Sequence, residues 1–320
     1  MKICITRKIP NRGIEMLQEK GYELAINQQS RPLTREELIE KGKGADAVLS
    51  QLTDKIDAAV MDGWEGSVKI IANYAVGYDN IDVKAAKERG IIVTNTPDVL
   101  TETVAEHTFS LMLAIAHRVS EADRFSRAGK YKGWEPELLL GMDVSRKILG
   151  IVGLGRIGAR VAHHGVKGFD MRAIYYDLKR NEQFEQDFNA EYKSTPEDVL
   201  KEADFVSLHV PLLDSTRHLV NTERLGMMKK TAYLVNTSRG PVVDEAALRD
   251  ALKNGVIRGA AIDVWEHEPE LTPGLADLEN IIITPHIASA TEETRQKMGE
   301  VAAENIIAVL EGKTPPNAVK

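Results

Sequence analysis

The feature that most constrains this 320-residue chain is Gly153-Leu154-Gly155-Arg156-Ile157-Gly158, placed directly after the apolar run Ile148–Val152. A strand that feeds a Gly-x-Gly-x-x-Gly turn into a helix commits the surrounding chain to a βαβ unit, and so to a parallel sheet. The first glycine makes the tight turn, the second lets the backbone approach a pyrophosphate, and the third lets helix and strand pack closely. The helix N terminus then offers N–H groups and the positive end of its dipole to phosphate. Asp177 ends the next strand, nineteen residues after Gly158, where its carboxylate can accept hydrogen bonds from both hydroxyls of an adenosine ribose and repel a 2′-phosphate. NAD is the expected cofactor and NADP the less favoured one. Lys179 and Arg180, just beyond, read either as a solvated basic turn or as residues that soften this preference.

Composition narrows the class. With 41 Lys+Arg against 48 Asp+Glu the formal charge is −7, so the chain lacks the basic stripe that a nucleic-acid groove requires. The longest stretch free of Asp, Glu, Lys and Arg, Asn280 to Thr291, is interrupted by Pro285, well short of the roughly 20 apolar residues needed to span a bilayer. Neither nucleic acid nor membrane is an expected partner. Cys4 is the only cysteine, which excludes an internal disulfide and a cysteine-based zinc site, and no metal is expected. Met1-Lys2-Ile3-Cys4-Ile5-Thr6-Arg7 reads as a first strand rather than a secretory signal, so a cytoplasmic location is expected.

The length fits two domains, and strand-like runs alternate with helical patterns throughout. Lys2–Thr6, Tyr22–Ile26, Ala45–Ser50, Lys69–Ala72 and Ile91–Thr94 read as strands of a first α/β unit. Thr34-Arg35-Glu36-Glu37 reads as a capping box, and Gly21, Gly42 and Gly90 as helix C-caps. From Thr101 to Gly129 the spacing predicts one long connecting helix. A second series follows in Ile148–Val152, Arg172–Tyr176, Asp204–His209, Thr231–Asn236, Gly259–Ile262 and Ile281–Ile283, with helices opened by Thr195-Pro196 and Asp244-Glu245. A last helix, Thr291 to Leu310, is closed by Gly312.

Chemistry on an open parallel sheet collects at the carboxyl ends of its strands. Three ionisable residues follow strands of the second series: Arg239, Glu268 and His286. A guanidinium offers a two-pronged donor that matches a carboxylate or a 2-oxo acid, and an imidazole beside a carboxylate suits proton transfer near neutral pH. Taken singly, Arg239 also reads as a surface turn residue, Glu268 as a solvated loop acid and His286 as a structural histidine. His267 is a rival for the proton-transfer role. His107, His117, His163 and His164 read as structural or exposed.

The order and spacing of further segments resemble the D-isomer-specific 2-hydroxyacid dehydrogenases over essentially the whole length. They are Asn73-Tyr74-Ala75-Val76-Gly77-Tyr78-Asp79-Asn80-Ile81-Asp82, Asn95-Thr96-Pro97, the glycine motif, His209-Val210-Pro211-Leu212, Asn236-Thr237-Ser238-Arg239-Gly240, Asp263-Val264-Trp265 with Glu268-Pro269, and Thr284-Pro285-His286. The likeness is greatest to the glyoxylate/hydroxypyruvate reductase and D-lactate dehydrogenase branches. It implies two Rossmann-like domains, each a doubly wound parallel sheet, with the active site in a cleft between them. Residues 1–98 with 287–320 would form a flavodoxin-like substrate domain, and 99–286 the NAD-binding domain.

By the same likeness, Arg239 binds the substrate carboxylate and carbonyl, His286 is the general acid/base, and Glu268 holds His286 protonated. Val76, Gly77 and Leu100 would meet the substrate, and Arg156, Ile157, Val210, Pro211, Thr216, Thr237 and Asp263 the cofactor. The implied activity is hydride transfer between NAD(H) and C2 of a small 2-oxo or D-2-hydroxy acid, glyoxylate, hydroxypyruvate or pyruvate. A homodimer is implied, with Trp134 read either as a subunit contact or as an anchor of its own loop. An NAD(H)-sensing corepressor on the same fold is the alternative. Ser145-Arg146-Lys147 departs from the family, which has a glycine before the basic residue there.

Overall fold

A computed structural model describes residues 1–319. The chain runs β1 (Lys2–Ile5), α1 (Asn11–Glu19), β2 (Glu23–Ile26), α2 (Arg35–Gly42), β3 (Ala47–Ser50), α3 (Ala58–Asp62), β4 (Ile70–Asn73), α4 (Val83–Glu88) and β5 (Ile92–Thr94). It continues through α5 (Thr101–Ala116), α6 (Val119–Arg127), β6 (Ile148–Val152), α7 (Arg156–Phe169), β7 (Arg172–Tyr176), α8 (Glu182–Phe188), β8 (Glu191–Tyr192), α9 (Pro196–Glu202) and β9 (Phe205–Leu208). It closes with α10 (Thr222–Met227), β10 (Tyr233–Asn236), α11 (Glu245–Lys253), β11 (Gly259–Ile262), β12 (Ile281–Ile283) and α12 (Glu292–Leu310). Among the described residues no helix is long and apolar enough to cross a membrane.

Contacts divide the chain into two units, Met1–Leu100 with Ser289–Lys320, and Thr101–Ala288. The first is built on a five-stranded parallel sheet in the order β2-β1-β3-β4-β5. Apart from α1, its helices start where side chains satisfy orphan N–H groups. At α2 the Thr34 hydroxyl accepts from the Glu37 amide while the Glu37 carboxylate accepts from the Thr34 amide, the reciprocal pair of a capping box. The returning α12 packs on α1 at a glycine pair, where a Cβ on Gly13 would lie 2.4 Å from the Gly299 carbonyl oxygen. Gly42 is not a left-handed C-cap: the positive φ falls at Gly44 instead. Gly42 is there for packing, since a Cβ would meet the buried Trp64 indole, whose Nε1–H donates to the Leu38 carbonyl at 3.0 Å.

The second unit carries a seven-stranded parallel sheet in the order β12-β11-β10-β9-β6-β7-β8. Alternation along its strands feeds two separate cores: Leu149, Ile151, Phe205, Val235 and Ala261 enter one, and Val152, Val206, Leu208, Leu234 and Ile262 the other. A sheet apolar on both faces needs helices on both, which is the doubly wound arrangement. Strand order reverses between β6 and β9, the point at whose carboxyl ends such sheets bind ligands.

The single helix expected over Thr101–Gly129 is two, broken at Arg118, which adopts φ +55°. The Ala116 carbonyl accepts from the Met142 amide at 2.9 Å, and Glu121 grips the Arg118 guanidinium at 2.8 and 2.7 Å. A tertiary partner ends the helix, and no local signal marks the break.

Arg146, in the segment that departs from the resembled pattern, adopts φ +63°, held by its N–H to the Phe169 carbonyl at 3.0 Å. A side chain in the left-handed region costs about 1–2 kcal/mol, partly offset by the chain entropy of glycine. Arg146→Gly is therefore expected to raise the urea midpoint, by about 0.5–1 kcal/mol of stability, and a fall would contradict this account of the turn.

Candidate active site

The glycine motif closes the turn between β6 and α7. Gly153 adopts φ +96°, and a Cβ there would lie 2.7 Å from the His209 carbonyl group. A Cβ on Gly158 would lie 2.1 Å from the Gly153 oxygen, so the first helical turn can press on the loop only as glycine. At Gly155 a Cβ would meet nothing within 4 Å: the backbone is bare toward open space. No side chain caps α7, and no acidic residue lies in its first turn. Asp177, after β7, accepts from the Leu154 N–H at 2.7 Å and from the Lys179 N–H at 3.3 Å. Bare turn, uncapped helix end and strand-terminal carboxylate together fit a dinucleotide.

The remaining residues expected at the cofactor surround this end of the sheet. The Val210 side chain packs against Gly153, and Pro211 receives the Thr216 hydroxyl on its carbonyl at 2.7 Å, so Thr216 also shapes its own loop. Thr237 pairs with the Thr108 hydroxyl at 3.0 Å, while Arg156 and Ile157 form the first turn of α7. Just after β9, the His209 imidazole lies 2.8 Å from the Ser207 hydroxyl, and desolvation drives its pKa down to about 3, so it stays neutral.

Three neighbouring strands deliver the ionisable group. Arg239 follows β10, Glu268 lies in the loop after β11, and His286 follows β12. His286 Nδ1 stands 3.0 Å from a Glu268 carboxylate oxygen, with both side chains about a quarter exposed. The other Glu268 oxygen accepts from the Trp265 N–H at 3.1 Å. His267 is exposed, so the imidazole that Glu268 meets is that of His286. Asn236 shapes the Arg239 turn, donating to the Arg239 carbonyl at 3.0 Å and accepting from the Ser238 N–H and hydroxyl. Gly240 has no room for a side chain, since a Cβ would lie 1.9 Å from the Trp265 carbonyl oxygen, which brings the Arg239 and Glu268 loops into backbone contact.

Asp263 has a structural task beyond the expected one. Fully buried, it accepts from the Thr284 hydroxyl at 2.6 Å and from the Ile287 and Ala288 amides at 2.9 and 2.8 Å, and its own carbonyl accepts from the His286 N–H at 2.8 Å. Burial alone would raise its pKa, but the hydrogen bonds from His107, Thr284 and the two amides hold it below the ordinary value. Asp263 thus fixes the turn in which His286 takes φ +53°. His107, on α5, reaches this carboxylate at 3.3 Å, a contact its sequence position did not suggest. Two further supports are not readable in sequence. Glu245, 2% exposed, accepts from the Glu266 amide and from the Thr272 hydroxyl, and His218 lies 2.6 Å from a Glu266 oxygen. Both fasten the loop that carries Glu268.

In the other unit, Val76 and Gly77 form the turn after β4. Their carbonyls accept from Asn95 and Asn73 side chains, each at 2.8 Å. Leu100 is buried just before α5.

A dinucleotide-type sheet with a histidine–carboxylate pair and an arginine at its carboxyl end defines a class of oxidoreductase. The family model for "D-isomer specific 2-hydroxyacid dehydrogenase, NAD binding domain" matches residues 109–288. Over 321 residues the chain is 52% identical to a glyoxylate reductase of Korarchaeum cryptofilum, covering 99% of this chain and 95% of that protein. The crystal structure of the TT0316 protein of Thermus thermophilus matches with a TM-score of 0.93 and 45% identity over 100% of both chains. An NADPH-dependent glyoxylate/hydroxypyruvate reductase of Sinorhizobium meliloti matches with a TM-score of 0.87 and 31% identity over 99% of this chain and 97% of that one. The chain belongs to the D-isomer-specific 2-hydroxyacid dehydrogenase family, whose members are nicotinamide-dependent oxidoreductases acting on CH–OH donors.

Proposed function

We propose that the protein reduces a small 2-oxo acid, glyoxylate, hydroxypyruvate or pyruvate, to the D-2-hydroxy acid with NADH. The observation that carries this reading is the 3.0 Å pairing of His286 with Glu268, one strand away from Arg239. When bound, NADH supplies the hydride that reduces C2. Arg239 takes the substrate carboxylate and carbonyl oxygen on its guanidinium and stabilises the negative charge that develops there. His286 delivers its proton to the C2 oxygen, and Glu268, 3.0 Å from its Nδ1, orients the ring. The Val76 and Gly77 amides receive the substrate carboxylate, their carbonyls being held by asparagines, and Leu100 supplies an apolar wall. Gly153, Gly155, Gly158, Arg156, Ile157, Val210, Pro211, Thr216, Thr237 and Asp263 hold the cofactor, with Asp177 on the ribose.

Preference for NADH follows from Asp177. Arg180, a cation that could otherwise greet a 2′-phosphate, is bound by Glu185 at 2.9 and 2.7 Å. Asp177→Asn keeps an acceptor for the Leu154 N–H but removes the charge. The NADPH-to-NADH ratio of kcat/KM is expected to rise at least about tenfold; an unchanged ratio would remove Asp177 from the selecting role.

Exposed Val119, Tyr131, Trp134 (82% exposed) and Leu140 between α5 and β6 support a homodimer. A single, buried cysteine supports a cytoplasmic setting. The test of the reaction is NADH oxidation across glyoxylate, hydroxypyruvate and pyruvate. Turnover with one of them is the expected result. Tight NADH binding without turnover of any would move the sensor reading to the front.

A further inference from the structure

Just past the carboxyl ends of β1 and β3 lie two donor atoms, Arg7 Nε and Gln51 Nε2, without acceptors among the described residues, while the Arg7 Nη2 donates to the Thr53 hydroxyl at 3.4 Å. Just past the strands the Thr6 N–H still reaches the Leu49 carbonyl at 3.1 Å, and continuing the pairing of Ile5 with Leu49 sets Arg7 beside Gln51. Both residues are half-buried, yet Arg7 Nε and Gln51 Nε2 are covered and meet no acceptor among the described residues. A covered donor without a partner is destabilising, and where a protein keeps one it asks for an explanation outside the fold, such as a ligand.

The position of the two donors points to which ligand. Asn80 Nδ2 donates to the Gln51 carbonyl at 3.1 Å and to the Asp54 carbonyl at 3.0 Å. Asn73 Nδ2 donates to the Gly77 carbonyl at 2.8 Å and to Asn80 Oδ1 at 3.2 Å. One asparagine pair thus ties the backbone of Gln51 to the turn at Gly77. Beneath them lies Asp54, 2% exposed, which accepts from the Thr6 hydroxyl at 2.5 Å and from the Gln51 N–H at 2.7 Å. Burial pushes the Asp54 pKa up while the Thr6 and Gln51 hydrogen bonds and the charge of Arg7 pull it back, so the Arg7 guanidinium already has a carboxyl group near it. Spare donors beside a buried carboxyl group suit a neutral oxygen better than a second anion, which that carboxyl group would repel.

We propose that Gln51 and Arg7 are specificity-determining residues that donate hydrogen bonds to a hydroxyl on C3 of the 2-oxo acid. This rests on the reading that the Val76–Gly77 turn receives the substrate carboxylate. A hydroxypyruvate-type substrate satisfies both donors, whereas pyruvate, whose C3 bears only hydrogen, leaves them unpaired. A site built to hydrogen-bond a hydroxyl discriminates strongly against the analogue that lacks it.

The experiment compares kcat/KM for hydroxypyruvate, pyruvate, oxaloacetate and glyoxylate in the wild type, Gln51→Leu and Gln51→Met. The wild type is expected to favour hydroxypyruvate over both pyruvate and oxaloacetate. In each variant the hydroxypyruvate-to-pyruvate ratio is expected to fall at least tenfold, chiefly through the KM for hydroxypyruvate, and if one variant does not fold the other carries the comparison. Glyoxylate has no C3, so its turnover by the wild type checks the underlying reading separately. Turnover of glyoxylate with a hydroxypyruvate-to-pyruvate ratio that the variants leave within twofold would overturn the role of Gln51 alone. A wild type that prefers oxaloacetate would overturn the neutral-hydroxyl assignment, and failure on all four acids would overturn both readings.

Discussion

Replacing His286 with asparagine is expected to lower kcat by about 10²–10⁴-fold, the usual contribution of a positioned general acid or base. Asparagine is the informative choice because the backbone at this position has φ +53°, and asparagine tolerates that region while alanine does not. The substitution therefore removes the proton donor without forcing the turn that Asp263 holds. Fluorescence titration should find NADH affinity within a few-fold of the wild type, and thermal melting should find the fold intact, since the side chain is partly exposed and its partner is Glu268. A variant that kept most of the wild-type kcat would take His286 out of the proton-transfer role.

The second large effect is expected at Arg239. Lysine preserves the positive charge but not the planar pair of donors, and a point charge cannot hold a carboxylate and a carbonyl oxygen together. Arg239→Lys should cost about 10²–10³-fold in kcat/KM, and Arg239→Ala more, because an interaction is lost both in binding and in the charge that develops on the C2 oxygen. Steady-state kinetics would show the loss in kcat as well as in KM. A pure rise in KM would mean that Arg239 only binds and does not assist the chemistry.

What could be read from the sequence was local. The Gly153 to Gly158 motif follows a strand and opens a helix because a tight turn, a bare backbone and a close helix–strand approach all need glycine within six residues. Capping at Thr34, Thr195 and Asp244 was readable for the same reason, since a cap acts over three residues. The break at Arg118 was not, because the Met142 amide that takes the Ala116 carbonyl arrives from far along the chain. Gly42 misled because composition cannot separate a glycine needed for φ from one needed for space.

The site divides in the same way. Arg239, Glu268 and His286 could be singled out as ionisable residues at strand ends, and family spacing joined them. Their supports could not be found from sequence: His107 meets Asp263 across 156 positions, and His218 meets Glu266 across 48. Glu245 read as a helix-opening acid, yet it is buried and fastens the loop behind Glu268. Gln51 and Arg7 carried no signal at all, because an unpaired donor is visible only once every neighbour is in place.

The central claim is direct hydride delivery to C2 of a 2-oxo acid on one face, with His286 supplying the proton. The most direct test is to reduce pyruvate or hydroxypyruvate with NADH deuterated at both C4 positions and to analyse the product by chiral chromatography with mass spectrometry. The account predicts a single D-2-hydroxy acid carrying one deuterium at C2. An L or racemic product, or a product without deuterium at that carbon, would contradict it.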